Sequence, residues 1–104
     1  MNELEGFQKK YLKGLAHHLK PIVFLGQNGV TLNLIDTINQ AFDKHELIKI
    51  KFVDYKEKDS KNSISETIVK ETDSYFVGLI GNTLILYRQS KNKKNRKIKI
   101  PEIQ

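Results

Sequence analysis

The chain has 104 residues, of which 38% are hydrophobic and 29% are charged, so it has room for one compact domain with a modest core. Its 18 Lys and Arg residues against 12 Asp and Glu give a net charge of +6, which favours a polyanionic partner, with nucleic acid ahead of membrane headgroups. The lack of cysteine excludes disulfides, thiolate zinc sites and thiol nucleophiles, and no stretch approaches the roughly 18 apolar residues of a membrane span, so we expect a cytoplasmic protein without a membrane partner.

The first half of the chain predicts a helix, a strand and a second helix. Between Leu4 and Leu19 a helical projection separates an apolar arc from a basic side. The arc, which we expect to face the core, contains Leu4, Phe7, Tyr11, Leu12, Leu15 and Leu19. The basic side contains Lys9, Lys10, Lys13 and His17. Residues 21–25 then indicate a short buried strand, and Thr31 is a suitable N-cap for a helix with an inner face of Leu34, Ile35, Ile38, Ala41 and Phe42.

The second half predicts three strands and one helix. Residues 47–53 alternate apolar and charged side chains, so Lys49 and Lys51 mark a cationic strand face. Residues 63–66 have the form of a capping box and open, or lie within, a helix that runs to about Thr72. Two apolar strands, residues 75–80 and 83–87, are joined through Gly81-Asn82, a strong hairpin signal. The order α-β-α-β-α-β-β predicts a single α/β domain with a mixed four-stranded sheet.

The C-terminal segment differs from the rest in composition. From Arg88 to Lys99 there are seven basic residues and no acidic one. We therefore divide the chain into a domain of residues 1–89 and a basic tail of residues 90–104, which we expect to be flexible at least to Asn95. The alternation from Arg96 to Ile100 leaves open an additional edge strand.

The turn Gly26-Gln27-Asn28-Gly29 lies between a predicted strand and the start of a predicted helix. Glycines let a ligand approach the backbone, and a helix start offers unpaired N–H groups at the positive end of the helix dipole, so a phosphate would be stabilised there. An isolated Gly-x-x-Gly is more often an ordinary turn, and a basic helix face is usually just solvated. Together, however, the turn, the lysine faces and the basic tail are typical of distributed contacts to the backbone of structured RNA.

Other functional classes find little support in the residues. His17 and His18 are adjacent on a helix, so their side chains point about 100° apart, and no cysteine or acidic cluster completes a metal site. No Ser/His/Asp spacing, phosphate-binding P-loop or paired acidic motif is present, so we predict no catalytic residue, metal or cofactor. Tyr11, Tyr75 and Tyr87 are able to stack on bases, but we favour core positions for them.

Four segments, YLKGLAHHLKPIV from Tyr11, GQNGVT from Gly26, HELIKIK from His45 and IGNTLILYR from Ile80, resemble the YhbY family of bacterial stand-alone CRM domains. The resemblance covers roughly residues 4–88. It implies a fold like the C-terminal domain of translation initiation factor three, RNA binding through the Gly-x-x-Gly loop and the basic surface beside it, and association with ribosomal RNA in large-subunit precursors. Carried onto this sequence, the implied RNA-binding residues are Gly26, Gln27, Asn28, Gly29, Lys9, Lys10, Lys13, Lys20, Lys49, Lys51 and Arg88.

The chain departs from the family pattern in two places. Gln27 stands where relatives often carry lysine, which removes one charge from the loop. Asp73-Ser74 replaces the glycine that usually ends the third helix, although Asp tolerates a left-handed backbone better than most residues. Our first hypothesis is a monomeric, non-catalytic RNA-binding factor for ribosome assembly. The alternative is a translation-associated protein that docks on ribosomal proteins; a nuclease or RNA-modifying enzyme is a third hypothesis, which lacks a supporting motif.

Overall fold

Helices and strands alternate along the chain in a computed structural model that describes residues 3–26, 28–53 and 58–101. The described elements, in chain order, are α1 (Gly6–Ala16), β1 (Val23–Leu25), α2 (Leu32–Lys44), β2 (Leu47–Phe52), α3 (Lys58–Thr72), β3 (Tyr75–Ile80), β4 (Thr83–Tyr87) and a short 3₁₀ helix (Lys93–Asn95). The strands form one sheet in the order β1-β2-β4-β3, in which β1 is parallel to β2 and the other pairs are antiparallel. The predicted α/β class, element order and mixed sheet are confirmed.

One face of the sheet is covered by α2 and α3 and carries the larger part of the core. Alternate residues of β2, namely Ile48, Ile50 and Phe52, point to this face and are almost fully buried. From α2, Ile38 and Phe42 pack against them, as the sequence pattern predicted. The predicted N-cap of α2 is confirmed, because the Thr31 hydroxyl oxygen accepts a hydrogen bond from the Leu34 N–H at 3.1 Å.

The other face is covered by α1, but through only part of the predicted arc, from which Leu12 is fully buried and Leu4 packs against the core. Leu12 and Ala16 are fully buried against Leu47, Val77, Ile85 and Tyr87. Four other residues of the predicted arc are between 39% and 46% exposed, namely Phe7, Tyr11, Leu15 and Leu19.

Compared with the prediction, α1 is turned about its axis so that Lys9 and Lys13 lie closer to the sheet. The long stems of these two lysines make this orientation possible. The Lys9 ammonium lies 5.7 Å from the centre of the Phe76 ring, and the end of the Lys13 side chain passes over Gly78, where even a Cβ would lie 2.6 Å from it. Lysine stems are aliphatic and can cover apolar surface while the ammonium stays in water. The helical projection assigned Lys9 and Lys13 to the solvent side, but their stems cover part of the sheet.

Three further expectations are refined. In β1, Val23 and Leu25 are buried but Phe24 is 60% exposed, so the prediction of a wholly buried strand is wrong at its centre. Because α3 begins at Lys58, residues 63–66 lie inside the helix, which was one of the two alternatives. After α3, Asp73 has a φ of 52°, the left-handed conformation expected where a glycine is replaced.

Residues 90–101 lie back against the domain. Arg96 donates from its Nε to the Ser90 carbonyl oxygen at 2.7 Å, and Ile98 and Ile100 pack against the α1-side core. We expected a flexible segment at least to Asn95. The structure instead shows a segment that contacts the domain and contains the 3₁₀ helix. Residues 96–100 are described and form no strand, because the acceptors of the Lys97 and Ile98 N–H groups come from a side chain. None of the described helices is long and apolar enough to cross a membrane.

Candidate functional site

The Gly-x-x-Gly turn leaves β1 at one end of the sheet and leads into α2. The Gly29 N–H donates to the Gly26 carbonyl oxygen at 3.1 Å, which closes a tight turn. Gly29 has a φ of 69°, a left-handed conformation that favours glycine. Asn28 is exposed, and Gln27, which the sequence places at the candidate site, lies outside the described residues. Of the described residues of the turn, Gly26 and Asn28 are therefore open to solvent.

Gly26 is a glycine for which the fold gives no reason. Among the described glycines only Gly29 and Gly81 have a positive φ, and a Cβ built on Gly26 would meet no atom within 4 Å. Neither backbone conformation nor internal packing therefore requires the absence of a side chain at this position. The open space beside Gly26 would let a ligand approach the backbone closely.

The helix that follows the turn has no acid at its positive end. The first turn of α2 contains no Asp or Glu, so no carboxylate of that turn occupies the position that an anion would take. Leu32, the first residue of the helix, is 87% exposed. The start of α2 therefore offers the positive end of a helix dipole without a neighbouring carboxylate, an arrangement that favours an anion such as a phosphate group.

The predicted lysines of α1 lie on the side of the sheet that α1 covers. Lys10 and Lys13 are exposed, whereas Lys9 is half-buried beside Phe76. Lys20, in the segment between α1 and β1, is exposed. Lys10, Lys13 and Lys20 thus have their charges open to solvent, although the stems of Lys9 and Lys13 also serve in packing.

Lys49 and Lys51 point to the same face of the sheet, two residues apart on β2. The Lys49 ammonium donates to the Leu19 carbonyl oxygen at 3.0 Å and so holds the segment that follows α1 to the sheet. Lys51 is exposed and lies directly beside Phe24 in the register of β1 and β2. The lysines of α1 and β2 are thus spread across the α1 side of the sheet, from Lys13 over β3 to Lys51 beside β1.

Arg88 lies apart from the other predicted residues. One guanidinium nitrogen donates to Asn39 at 2.9 Å and to the Thr72 carbonyl oxygen at 2.8 Å, and the guanidinium carbon lies 4.5 Å from the centre of the Phe42 ring. These contacts join the end of β4 to α2 and α3. These contacts give Arg88 a structural role in the fold.

Sequence reasoning missed the two most exposed apolar side chains of the sheet, Phe24 and Ile80. The available signal was the alternation of β1, since Val23 and Leu25 on the core side place Phe24 on the opposite side. The sequence pattern did not indicate that α1 leaves this part of the sheet uncovered. Within the described ranges, no three His, Cys, Asp or Glu residues are grouped so that they could hold a metal ion.

Comparisons with known proteins agree on one family. Residues 4–88 match the model of the CRS1 / YhbY (CRM) domain. The chain is 43% identical over 98 residues to the "Probable RNA-binding protein YqeI" of Bacillus subtilis, a match that spans 94% of this chain and 99% of the relative. It is 46% identical over 94 residues to an "RNA-binding protein" of Haemophilus influenzae, with 90% and 94% of the two chains covered. The solution structure of the hypothetical protein SAV1595 from Staphylococcus aureus superposes with a TM-score of 0.79 at 36% identity, covering 94% of this chain and 99% of that one.

Proposed function

The chain belongs to the CRS1 / YhbY (CRM) domain family, and we propose that it is an RNA-binding protein that associates with ribosomal RNA or large-subunit precursors and assists ribosome assembly. RNA binding is the activity in the names of its relatives in Bacillus subtilis and Haemophilus influenzae. Residues 1–89 form the RNA-binding domain of this proposal, and the basic tail, residues 90–104, adds charge to it.

The observation that carries the proposal is the accessible Gly26–Gly29 turn at an acid-free helix start. A phosphate placed there accepts hydrogen bonds from backbone N–H groups and lies at the positive end of α2. The exposed lysines of α1 and β2 extend the contact along the RNA backbone, which is how proteins position themselves on structured RNA. Net charge alone would not select this turn, whereas its position before the start of α2 supports it as the phosphate site.

The test introduces negative charge at the turn, in which Asn28 is exposed. Gln27→Asp combined with Asn28→Asp places two carboxylates where we expect the RNA phosphate. Binding to protein-free ribosomal RNA should fall by at least about tenfold, because the new charges repel the phosphate and compete for the same N–H groups. Since surface substitutions typically change stability by only about 0.5 kcal/mol, the thermal midpoint should stay close to that of the unchanged chain.

A matched control separates the site from the loss of net charge. Asn62→Asp combined with Ser63→Asp makes the same change in charge at exposed positions of α3. This control should lose much less affinity than the variant at the turn. If both double variants lose the same affinity, the turn is not the phosphate site and only the overall charge matters.

The ribosomal target is tested separately in cells. A tagged copy of the full chain should co-sediment with large-subunit precursors, and treatment with ribonuclease should release it. Sedimentation with mature small subunits alone would contradict the assignment to large-subunit assembly.

The exposed apolar row of α1 favours the second candidate, docking on ribosomal proteins. Phe7, Tyr11 and Leu15 follow one another at intervals of four residues and are each at least 39% exposed. A protein that uses its charge only for steering would not bind protein-free ribosomal RNA tightly at physiological salt. The titration with protein-free RNA therefore distinguishes the two candidates.

A further inference from the structure

One row of residues crosses all four strands on the α1 side of the sheet and remains largely open. The strand register places Phe24 beside Lys51, Lys51 beside Thr83 and Thr83 beside Ile80. We call these four residues the open sheet row. Phe24 is 60% exposed, Ile80 is 58% exposed, and Lys51 is also exposed.

The open sheet row exists because α1 is short and is placed over the other end of the sheet. The helix ends at Ala16 and packs on β2, β3 and β4, while β1 is an edge strand. The neighbours Val23 and Leu25 must point into the core on the opposite face, so alternation fixes the outward direction of Phe24. The Phe24 ring is thereby held on a strand and is left mostly exposed by the described residues.

The row lies next to the candidate phosphate site. Neighbouring strands are about 4.8 Å apart, so Lys51 is one strand spacing from Phe24, and Ile80 is about 14 Å away across the sheet. Gly26 follows Phe24 by two residues, which is about 7 Å along the chain. A nucleotide bound at the turn is therefore within reach of the Phe24 ring, since its base and its phosphate are separated by a similar distance.

We propose that Phe24 stacks on an unpaired base of the bound RNA while Lys51 contacts a neighbouring phosphate, so that this surface selects a single-stranded segment. This inference rests on the proposed function and adds the class of RNA to it. An aromatic side chain can stack on any base whose face is free, but the bases inside a duplex are already stacked on each other. The lysine beside the ring supplies the charge that a polyanion requires and that an apolar protein partner would not need.

The first experiment uses the absence of tryptophan from the chain. Phe24→Trp introduces a single indole at the open sheet row, and Phe7→Trp introduces one on α1, where Phe7 is 46% exposed. Each variant is titrated with an unstructured RNA of about 12 nucleotides and with a blunt RNA duplex of about 12 base pairs, a size suited to one small domain. Stacking on a base should quench the indole at position 24 with the single strand. The indole at position 7 should change little with either RNA.

The second experiment measures affinity at one salt concentration. Phe24→Ala should weaken binding of the single strand by about 5- to 150-fold, the usual range for loss of one stacked base, and should change duplex binding by less than about twofold. Phe7→Ala should leave both affinities unchanged. Because the Phe24 side chain is mostly exposed, the thermal midpoint of Phe24→Ala should stay near that of the unchanged chain, which excludes unfolding as the cause of the loss.

The outcomes separate this inference from the proposed function. If the unchanged chain binds the single strand but both substitutions at Phe24 behave like those at Phe7, the stacking role is wrong and the RNA-binding function stands. An equal loss of affinity for single strand and duplex also contradicts the selection of unpaired bases. If the unchanged chain binds no RNA of either kind, nor protein-free ribosomal RNA, the proposed function itself fails.

Discussion

The Glu46 side chain fastens the C-terminal segment to the sheet, and its replacement tests how much that contact contributes to stability. Glu46 precedes β2 and is only 6% exposed. Its Oε2 accepts a hydrogen bond from the Ser90 N–H at 2.8 Å, and its Oε1 accepts from the N–H groups of Lys97 at 2.7 Å and Ile98 at 3.1 Å. A buried carboxylate needs such partners because it has lost its hydration.

The geometry sets the expected cost of Glu46→Gln. Whichever way the new amide is oriented, its NH₂ group faces at least one backbone N–H that previously had an acceptor. The substitution therefore removes at least one hydrogen bond to a charged group, which contributes about 1.5–3 kcal/mol, and weakens the rest. We expect the free energy of unfolding to fall by about 2–3 kcal/mol. The packing of Ile98 and Ile100 against the α1-side core should loosen in the same variant.

Urea denaturation of four proteins measures the coupling directly. The set comprises the unchanged chain, Glu46→Gln, a chain that ends at Asn95, and the chain that carries both changes. In the truncated background two of the three N–H donors are absent, so Glu46→Gln should cost about 1–2 kcal/mol less than in the full chain. An equal cost in both backgrounds would refute the reasoning, because Glu46 would then stabilise the domain without holding the tail.

Four further outcomes are expected. The affinity for RNA should fall with salt at a log–log slope near about −4, as about five phosphate contacts would give, and an affinity unchanged by salt would contradict the electrostatic account. Gly26→Ala should keep the thermal midpoint but weaken RNA binding, whereas Gly29→Ala should lower the midpoint as well, because only Gly29 has a positive φ. Truncation after Gln89 should leave a domain that circular dichroism shows to be folded, with lower stability and a modest loss of affinity. Desolvation by burial, followed by the Glu46 charge, raises the pKa of Tyr87 to about 12. Since the unfolded tyrosine titrates near pH 10, the unfolding free energy should drop by at most about 2.7 kcal/mol between pH 10 and 12, and Tyr87→Phe should lack that drop in urea titrations.

The parts of the fold that the sequence predicted well are those in which local chemistry and packing agree. Thr31 caps α2 as its residue type suggests, and the Gly81-Asn82 turn joins β3 to β4 with a φ of 59° at the glycine. The alternation of β2 assigned Ile48 and Ile50 to the core and Lys51 to solvent. Each of these features is decided within a few residues of the chain.

The features that were not predictable depend on distant partners. Glu46 lies between a predicted helix and a predicted strand, yet the N–H groups that it binds lie 44, 51 and 52 residues further along the chain. Lys61 is likewise buried, and its ammonium donates to the Asn82 side-chain oxygen at 2.8 Å, which ties α3 to the hairpin turn. The sequence does not show that a charged residue has such a partner. Polarity alone therefore predicts a surface position for residues such as Glu46 and Lys61.

The orientation of α1 affects the candidate site as well as the core. Because the helix packs through Leu12 and Ala16, the stems of Lys9 and Lys13 are partly used to cover the sheet, and the Lys49 ammonium is already bound to a carbonyl oxygen. By contrast, three of the predicted RNA-binding lysines, Lys10, Lys20 and Lys51, are exposed and have no side-chain hydrogen bond to another described residue. Substitution of these three by alanine should therefore lower RNA affinity with little change in stability.

Substitution of the packed lysines should have a mixed effect. Loss of Lys13 removes a stem from above Gly78, and loss of Lys49 removes the hydrogen bond to the Leu19 carbonyl oxygen, so both should lower the thermal midpoint as well as the affinity. Replacement of Lys13 by Met, which keeps a long stem without the charge, should recover much of the stability but not the binding. A variant that recovered both would show that the charge of Lys13 has no part in holding RNA, and the phosphate contacts would then lie nearer the Gly26–Gly29 turn and Lys51.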